Sequence, residues 1–381
     1  MSSSSGPVAP FKVVIAGGGV AALEAVLGLR EFGPGHFEIT LLAPDEEFAY
    51  RPMTVREPFA YSAAERHDLG AIAADLGVEL LAERFASVDP QARIAHLESG
   101  AEVRYDALLL ALGARPHARF PHALTIDDSQ LDELMHGLLE DIDGGYVHTL
   151  AFVVPQRGAW PLPIYELALM TSARAFDMNV ALAITIVTPE ATPLEVFGDA
   201  ASAGVAELLA GAGISVVGSA SCEVPDSRHV VINPGDRTIA VDRIVALPEL
   251  FGPAVRGLRS DEHGFIPIDE HCKVEGADRV YAAGDATAFP IKHGGIAAQQ
   301  ADAAAAAIAA LAGVGAEPEP LHPLIQGILL TGGAPVYLSA RLTGGRGLHS
   351  ELGESASWTP PAKIAARHLA PYLSARSQPG G

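Results

Sequence analysis

The feature that most constrains this chain is a glycine-rich turn between a short apolar strand and a helix near the N-terminus. The pattern predicts a strand over Phe11–Ala16, a helix over Leu23–Phe32 and a second buried strand over Phe37–Leu42. The turn that joins the first strand to the helix has the form G-x-G-x-x-A and consists of Gly17, Gly18, Gly19, Val20, Ala21 and Ala22. Such a turn lets the backbone approach a pyrophosphate, which the helix N-terminus attracts through its N–H groups and its dipole. The sequence therefore predicts a dinucleotide-binding βαβ unit here.

Composition and charge narrow the classes of function that suit the chain. The 381 residues include 25 Lys and Arg against 46 Asp and Glu, which gives a formal net charge of −21 at pH 7. Because phosphate backbones bind clusters of basic residues, we expect no nucleic-acid partner. The most apolar stretch, residues 303–316, is shorter than the ~20 residues of a membrane helix. The two cysteines, Cys222 and Cys272, provide no disulfide framework, so a cytoplasmic location is predicted.

Two later apolar strands also end in small residues. The first ends in the turn Ala111, Leu112 and Gly113, and the second ends in Gly284 and Asp285. Together with the N-terminal turn, these motifs occur in an order that resembles the pyridine nucleotide–disulfide oxidoreductase superfamily. The resemblance implies FAD as the cofactor, with Asp285 accepting a hydrogen bond from the ribityl chain of the flavin.

The resemblance also implies the fold class and the domain organisation. It implies an α/β protein with two Rossmann-like dinucleotide-binding domains, the double-Rossmann flavoprotein fold, and a small C-terminal segment. Residues 1–8 are expected to form a disordered leader, and residues 9–140 and 258–318 a discontinuous FAD-binding domain. Residues 141–257 would form the second Rossmann-like domain, since strand and helix patterns alternate there. Residues 319–381 remain as a C-terminal interface segment.

The second domain is predicted to be degenerate for NAD(P). Members that use NAD(P)H carry a second G-x-G-x-x-G where this chain has residues 155–161, which contain one glycine. Trp160 and Pro161 occupy positions that a pyrophosphate would approach closely, and a proline also removes a donor N–H. We therefore do not expect a nicotinamide cofactor to bind this domain in the usual pose.

Two further segments indicate one branch of the superfamily. Pro163–Glu166 and Pro290–Gly295 are similar to segments of the sulfide:quinone oxidoreductases. The sulfide chemistry of that branch needs two cysteines flanking the flavin, whereas residues 159–160 and 331–333 are Ala-Trp and Thr-Gly-Gly. The chain is therefore interpreted as a sulfide:quinone oxidoreductase-like protein that lacks the catalytic cysteines. Sulfide oxidation is disfavoured because no thiolate is available to carry the sulfur.

The candidate catalytic residues come from the second of these segments, which would lie beside the flavin. Lys292 would stabilise negative charge on the reduced ring, together with the N-terminus of a helix predicted from about Ile296. A solvated loop lysine is the alternative interpretation. His293 is the nearest titratable group and, with a pKa near neutrality, a candidate for proton transfer. No metal site is predicted.

The cofactor-binding residues combine the turns with positions implied by the resemblance. They are Gly17, Gly18, Gly19, Val20, Ala21, Ala22, Arg51, Pro52, Ala111, Leu112, Gly113, Gly284, Asp285, Lys292, Gly295 and Ile296. An acidic residue should end the second strand and hold the adenosine ribose. Asp45 and Glu46 follow slightly too late, so either one of them reaches back or backbone and water hold the ribose.

Three functions are weighed against one another. The favoured one is an FAD-dependent oxidoreductase that passes electrons from an unidentified small-molecule donor to an acceptor such as a quinone. The first alternative is an NAD(P)H dehydrogenase similar to the type II enzymes, with atypical nicotinamide binding. The second is a non-catalytic flavin-binding redox sensor or interaction module, a role that the lost nicotinamide turn and cysteines would also suit.

The C-terminal segment is predicted to contain a helix over Ala362–Ala375. Basic residues accompany its Ala/Leu face, namely Lys363, Arg367, His368 and Arg376. Such a helix can lie on a membrane surface. Docking on the protein itself or on a homodimer partner is favoured, which leaves at most a peripheral membrane contact.

Overall fold

A computed structural model describes residues 10–59, 64–127, 131–157, 160–315, 317–343 and 346–377. The leader predicted over residues 1–8 and residues 158–159 of the second turn lie outside the described residues. In the described ranges the helices are α1 (Val20–Phe32), α2 (Leu69–Asp75), α3 (Leu131–Asp143), α4 (Leu162–Asp177), α5 (Asp199–Gly211), α6 (Gly294–Leu311) and α7 (Leu369–Ser377). The strands are β1 (Phe11–Ala16), β2 (Phe37–Leu42), β3 (Glu47–Ala49), β4 (Arg66–Asp68), β5 (Glu79–Leu81), β6 (Phe85–Asp89), β7 (Ile94–Leu97), β8 (Glu102–Arg104), β9 (Ala107–Leu110), β10 (Arg115–His117), β11 (Leu124–Thr125), β12 (Thr149–Val153), β13 (Ala183–Val187), β14 (Ser215–Val217), β15 (Ser221–Asp226), β16 (His229–Asn233), β17 (Arg237–Ala240), β18 (Arg243–Ala246), β19 (Glu249–Phe251), β20 (Val280–Ala282), β21 (Leu324–Leu329), β22 (Val336–Thr343) and β23 (Arg346–Gly353).

The first of two parallel sheets contains the N-terminal βαβ unit. Its strands are ordered β20-β9-β1-β2-β5 and all pair in parallel. The central strands are apolar along their whole length because both faces are covered. Helices α1 and α6 pack on one face, and the antiparallel strands β6 to β8 contribute to the core on the other.

The second parallel sheet has the order β11-β18-β12-β13-β14. Helices α3, α4 and α5 bury one face, and strands β15 and β16 bury part of the other. Two parallel sheets with helical cover are the α/β architecture that the sequence predicted. Since ligands of such sheets bind outside the carboxyl ends of the strands, these two edges define where a dinucleotide would be sought.

The C-terminal segment packs against both sheet layers. Ile325, Leu329 and Leu338 join the core of the second sheet, whereas Ile364 and Leu369 join the core of the first. The segment therefore contributes to the cores of both sheets. Within the described ranges, no helix combines the length and apolarity needed to cross a bilayer.

The predicted helix over Ala362–Ala375 is wrong in its first half. The helix there is α7, which begins at Leu369. Glu24 explains this start, because its carboxylate accepts hydrogen bonds from the backbone N–H of His368 at 2.9 Å and of Leu369 at 2.6 Å. Before that point the backbone N–H of Ile364 donates to the hydroxyl of Tyr50, the residue after β3. Tertiary hydrogen bonds thus override the helical composition of this stretch.

Candidate functional site

The turn after β1 and the end of β9 lie against each other at the carboxyl edge of the first sheet. A Cβ atom built on Gly17 would be 2.1 Å from the carbonyl oxygen of Ala111, and Gly17 has a φ of +130°. Only glycine fits this position, because any side chain would collide with backbone. The N–H of Gly17 donates to the carbonyl of Leu42 at 2.8 Å, and that of Ala111 to Ala16 at 2.8 Å. The turn is thus fixed to both neighbouring strands.

The other residues of these two turns have different surroundings. A Cβ on Gly18 would meet the side chain of Leu69 at 2.9 Å, which indicates tight packing behind the turn. Leu112 is half-buried, and Gly113 has a φ of +68° with no heavy atom within 4 Å of an added Cβ. A Cβ on Gly19 would likewise meet no heavy atom within 4 Å. The turn is therefore packed at Gly18 and open at Gly19.

Helix α1 presents its N-terminus on the open side of this turn. Gly19 is the N-cap, so no side chain caps the helix, and its first turn contains no acidic residue. The N–H groups of the first helical residues have no acceptor within a helix, and here those residues are Val20, Ala21 and Ala22. An uncapped N-terminus with a positive dipole and space beside it fits an anionic phosphate group.

Gly284 brings the N-terminal part of α6 close to that of α1. This residue has a φ of +76°, and an added Cβ would lie 3.4 Å from Cβ of Ala21 and 3.3 Å from Cβ of Ala297. Its N–H donates to Oε1 of the buried Gln300 at 2.8 Å. The half-buried Asp285 follows in a single 3-10 turn. Gly284 therefore brings β20, α1 and α6 together, with Asp285 beside them.

Lys292 is buried next to this junction, with 7% of its surface exposed. Its ammonium donates to the carbonyl of Thr287 and lies 3.7 Å from the centroid of the Phe265 ring. Burial lowers the pKa of Lys292 to about 8, although Asp285 and Asp261 act in the opposite direction. The alternative of a solvated loop lysine is thus wrong.

His293 is buried to the same extent and caps helix α6. Its Nδ1 accepts a hydrogen bond from the N–H of Gly295 at 3.2 Å, and its ring lies 4.7 Å from that of Trp160, centroid to centroid. Burial lowers the pKa of His293 to about 4, and the ammonium of Lys363 lowers it further. The expected pKa near neutrality is therefore wrong, because the sequence does not reveal this burial. At neutral pH the imidazole is uncharged, with its proton on Nε2. The buried Ile296 follows in the first turn of α6.

Arg51 and Pro52 begin a 3-10 helix that ends at Phe59. Arg51 is exposed, whereas the carbonyl of Pro52 accepts a hydrogen bond from Nζ of Lys363 at 2.7 Å. The preceding Tyr50 accepts a hydrogen bond at its hydroxyl from the N–H of Ile364 at 2.7 Å, and burial raises the pKa of Tyr50 to about 12. These two contacts fasten the C-terminal segment over the 3-10 helix. Arg51 itself makes none of them.

A buried ion pair, which the sequence did not predict, connects the C-terminal segment to α4. Nζ of Lys363 lies 2.7 Å from Oε2 of Glu166, with side chains 5% and 0% exposed. Oε1 of Glu166 accepts a hydrogen bond from the N–H of Leu330 at 3.0 Å. Burial raises the pKa of Glu166, and Lys363 opposes that rise. The similarity of residues 163–166 to a known motif pointed to Glu166, but no pattern pointed to Lys363.

The carboxyl edge of the second sheet differs from the first. Helix α4 has Pro161 as its N-cap and Pro163 in its first turn, and neither residue has an N–H to donate. A cavity of about 450 Å³ opens there, and its described lining residues include three carboxylates but no Lys or Arg. These carboxylates belong to Glu190, Glu195 and Asp199. This edge therefore differs from the first in its N–H donors and in the acidic side chains that line it.

The two cysteines are weakly acidic thiols. Cys272 is fully buried, and burial raises its pKa to about 12. Cys222 lies in β15, is half-buried and has a pKa raised by burial to about 11. Both therefore remain protonated at neutral pH, where a protonated thiol is a poor nucleophile.

Comparison with known proteins shows what the chain is similar to. A segment of 105 residues is 28% identical to the sulfide-quinone reductase of Aquifex aeolicus (strain VF5), covering 27% of this chain and 24% of that relative. The alignment therefore spans about a quarter of the relative's length. The solved structure of the sulfide:quinone oxidoreductase from Aquifex aeolicus superposes with a TM-score of 0.79 at 19% identity, covering 90% of this chain and 87% of that one.

A second solved structure shares the fold with lower similarity. The ferredoxin reductase for the CYP199A2 system of Rhodopseudomonas palustris has a TM-score of 0.66 at 21% identity and covers 87% and 83% of the two chains. The double-Rossmann fold predicted from the sequence is confirmed by these superpositions.

A family pattern also matches the chain over residues 11–138 and 166–309, which is more than half of its length. The match confirms the prediction of an oxidoreductase of the superfamily named above, and the aligned segment and the superposition confirm its resemblance to the sulfide:quinone oxidoreductases. The chain belongs to the pyridine nucleotide-disulphide oxidoreductase family.

Proposed function

We propose that this protein holds FAD at the carboxyl edge of its first sheet and passes electrons from a small-molecule donor to an acceptor such as a quinone. The observation that carries the proposal is the contrast between the two sheet edges. The first combines an open glycine turn with two helix N-termini. The second combines prolines with three carboxylates.

The first edge has the donors that a dinucleotide pyrophosphate needs. The uncapped N-terminus of α1 and the open space at Gly19 suit the pyrophosphate. Asp285, beside Gly284, would accept a hydrogen bond from the ribityl chain. Arg51 is exposed at the start of its 3-10 helix, and its guanidinium would pair with a phosphate oxygen.

Lys292 would supply a positive charge that stabilises the reduced flavin. When bound, the flavin accepts electrons from a donor and delivers them to an acceptor. An ammonium in a buried site interacts strongly with nearby negative charge, since little water screens it. Lys292 would therefore favour the anionic reduced cofactor, while His293 would hold the start of α6 rather than exchange protons.

The C-terminal segment would cover the cofactor. Lys363 and Ile364 contact Pro52 and Tyr50, next to Arg51. Ile364 also packs on Gly294, where an added Cβ would lie 2.8 Å from its Cδ1. These contacts support a segment that keeps water away from the reacting ring.

The electron donor is proposed to be neither NAD(P)H nor sulfide carried on a thiolate. Pro161 and Pro163 remove N–H donors where a nicotinamide dinucleotide would place its pyrophosphate. The two thiols have raised pKa values, so neither is a ready nucleophile for sulfide chemistry.

Reoxidation of the reduced protein tests the acceptor. The FAD-loaded protein is reduced with stoichiometric dithionite without oxygen and mixed with a water-soluble quinone in a stopped-flow spectrometer. The proposal predicts reoxidation that saturates with quinone concentration, which indicates a binding site. Rates that rise only linearly with quinone and equal those of free reduced FAD would overturn it, as would protein that retains no FAD.

A further inference from the structure

Three metal-type ligands meet where the C-terminal segment crosses α1 and α6. They are Glu24 of α1, Asp302 of α6 and His368, the residue before α7. One ligand atom from each lies within 4.8 Å of the other two. None of these side chains belongs to the FAD site described above, so the cluster needs a separate explanation.

Two of the ligand atoms are buried without a hydrogen bond. Oδ1 of Asp302 and Nε2 of His368 have no partner within the described part of the chain, and the His368 side chain is 9% exposed. The two atoms face each other across 3.5 Å. Buried polar atoms almost always have a partner, so such a pair points to a missing one.

The other ring nitrogen of His368 lies beside a second carboxylate. Nδ1 lies 3.2 Å from Oε2 of Glu31, a carboxylate that is half exposed. A histidine that binds a metal usually donates its second ring N–H to a carboxylate, which fixes the tautomer. With the proton on Nδ1, the lone pair of Nε2 faces Oδ1 of Asp302, and two acceptors then oppose each other.

The spacing of these acceptors matches ligands on one tetrahedral ion. Zinc–nitrogen and zinc–oxygen bonds of about 2.0–2.2 Å at tetrahedral angles separate two ligand atoms by roughly 3.4 Å. The observed separation of 3.5 Å agrees with that value. Glu24 keeps unused lone pairs, since its two oxygens accept one N–H each, from His368 and Leu369.

We propose that Glu24, Asp302 and His368 bind a divalent cation of the zinc type, which fastens the C-terminal segment to α1 and α6. A mixed carboxylate and imidazole donor set suits such ions. Water would occupy the fourth position, which the partly exposed side chain of Asp302 connects to solvent. This site does not depend on the proposed function, because its residues act on neither donor nor acceptor.

Zinc titration of the FAD-loaded full chain tests the proposal. The protein, without an affinity tag, is freed of metal with a chelator and titrated with Zn²⁺ in a calorimeter. We expect one more zinc per chain in the wild type than in His368→Gln or Asp302→Asn, and a rise in the thermal midpoint of the wild type alone. Uptake that is equal in the wild type and both variants would overturn the proposal.

Glu31→Gln provides a variant that should fold, since its side chain is 55% exposed. Loss of this supporting carboxylate is expected to weaken zinc binding by about 10–100-fold. The matched control is Glu38→Gln, which removes an equally exposed carboxylate from the pair with Lys12 and should leave the affinity unchanged. Equal affinities for the two variants would contradict the assigned role of Glu31.

Cobalt gives a readout that requires no variant. Co²⁺ added to metal-free wild-type protein should produce the visible absorption of a tetrahedral site, at one ion per chain, and Zn²⁺ should abolish it. A spectrum identical to that of Co²⁺ in buffer would overturn the proposal.

Discussion

The buried pair of Glu166 and Lys363 allows the sharpest prediction about how the C-terminal segment is held. Replacing Lys363 with methionine leaves the Glu166 carboxylate in a site where its side chain is 0% exposed. Removing one partner of a buried ion pair costs about 3–5 kcal/mol, because the other charge stays buried without compensation. The carbonyl of Pro52 also loses its donor.

The magnitude can be converted into a shift of the thermal midpoint. An unfolding entropy of about 2.1 cal/mol/K per residue over 381 residues means that a loss of about 4 kcal/mol lowers the midpoint by about 5 °C. Differential scanning calorimetry of the FAD-loaded protein measures this shift for Lys363→Met and for Glu166→Gln. Because the segment would cover the flavin, Lys363→Met should also release FAD more readily.

The double variant Glu166→Leu with Lys363→Met separates the pair from its surroundings. Both charges are then absent, so most of the stability lost by Lys363→Met should return. Lys12→Met serves as the control, since the exposed pair of Lys12 and Glu38 spans 3.8 Å and should contribute little. Single variants that shift the midpoint no more than Lys12→Met, with effects that add in the double variant, would refute the reasoning.

Three further predictions concern the two sheet edges. Gly19→Ala should fold normally, because its Cβ meets no described protein atom within 4 Å, but that Cβ would occupy the cofactor space. We therefore expect it to bind FAD at least about tenfold more weakly in equilibrium dialysis, a loss of roughly 1.4 kcal/mol. Gly17→Ala should instead fail to fold, which circular dichroism detects. Lys292→Met should lower the two-electron reduction potential of the flavin by about 30 mV, the equivalent of 1.4 kcal/mol. Since the pKa of Lys292 is about 8, this difference in potential should shrink as the pH rises above 8. A potential that is unaffected at pH 7 would contradict the role assigned to Lys292. Burial raises the pKa of Glu190 to about 7, so the folded state holds a proton that the unfolded state has lost. The free energy of unfolding should therefore fall by about 3 kcal/mol as the pH rises from 4.5 to 7. Glu190→Gln cannot ionise at this position, and its urea unfolding should show a smaller fall over that range.

The parts of the fold that are encoded in contiguous residues could be predicted from the sequence. The strand, turn and helix around Gly17 depend on neighbours within the chain, and the structure has them at Phe11–Ala16 and Val20–Phe32. Any residue other than glycine at position 17 would clash with Ala111, yet the glycine motif can be identified in the sequence without knowledge of that contact. Local sequence thus reveals the cofactor turn.

The parts that depend on distant residues could not be predicted. Glu166 and Lys363 are 197 positions apart, and no periodicity links them. The start of α7 depends on Glu24, whose carboxylate accepts the N–H groups of His368 and Leu369. The Ala-rich stretch before that point favours a helix but has an irregular, bent backbone. The pKa of His293 depends on burial that only the assembled structure reveals.

An anaerobic titration of the purified protein with NADH tests the central claim most directly, namely that the first sheet edge holds FAD while the second does not accept a nicotinamide cofactor. The visible spectrum should show one oxidised flavin per chain and remain unchanged as NADH is added, while dithionite reduces that flavin fully. Prompt bleaching by NADH would contradict the account, because it would mean that the second domain binds nicotinamide despite Pro161, Pro163 and the three carboxylates that line its cavity.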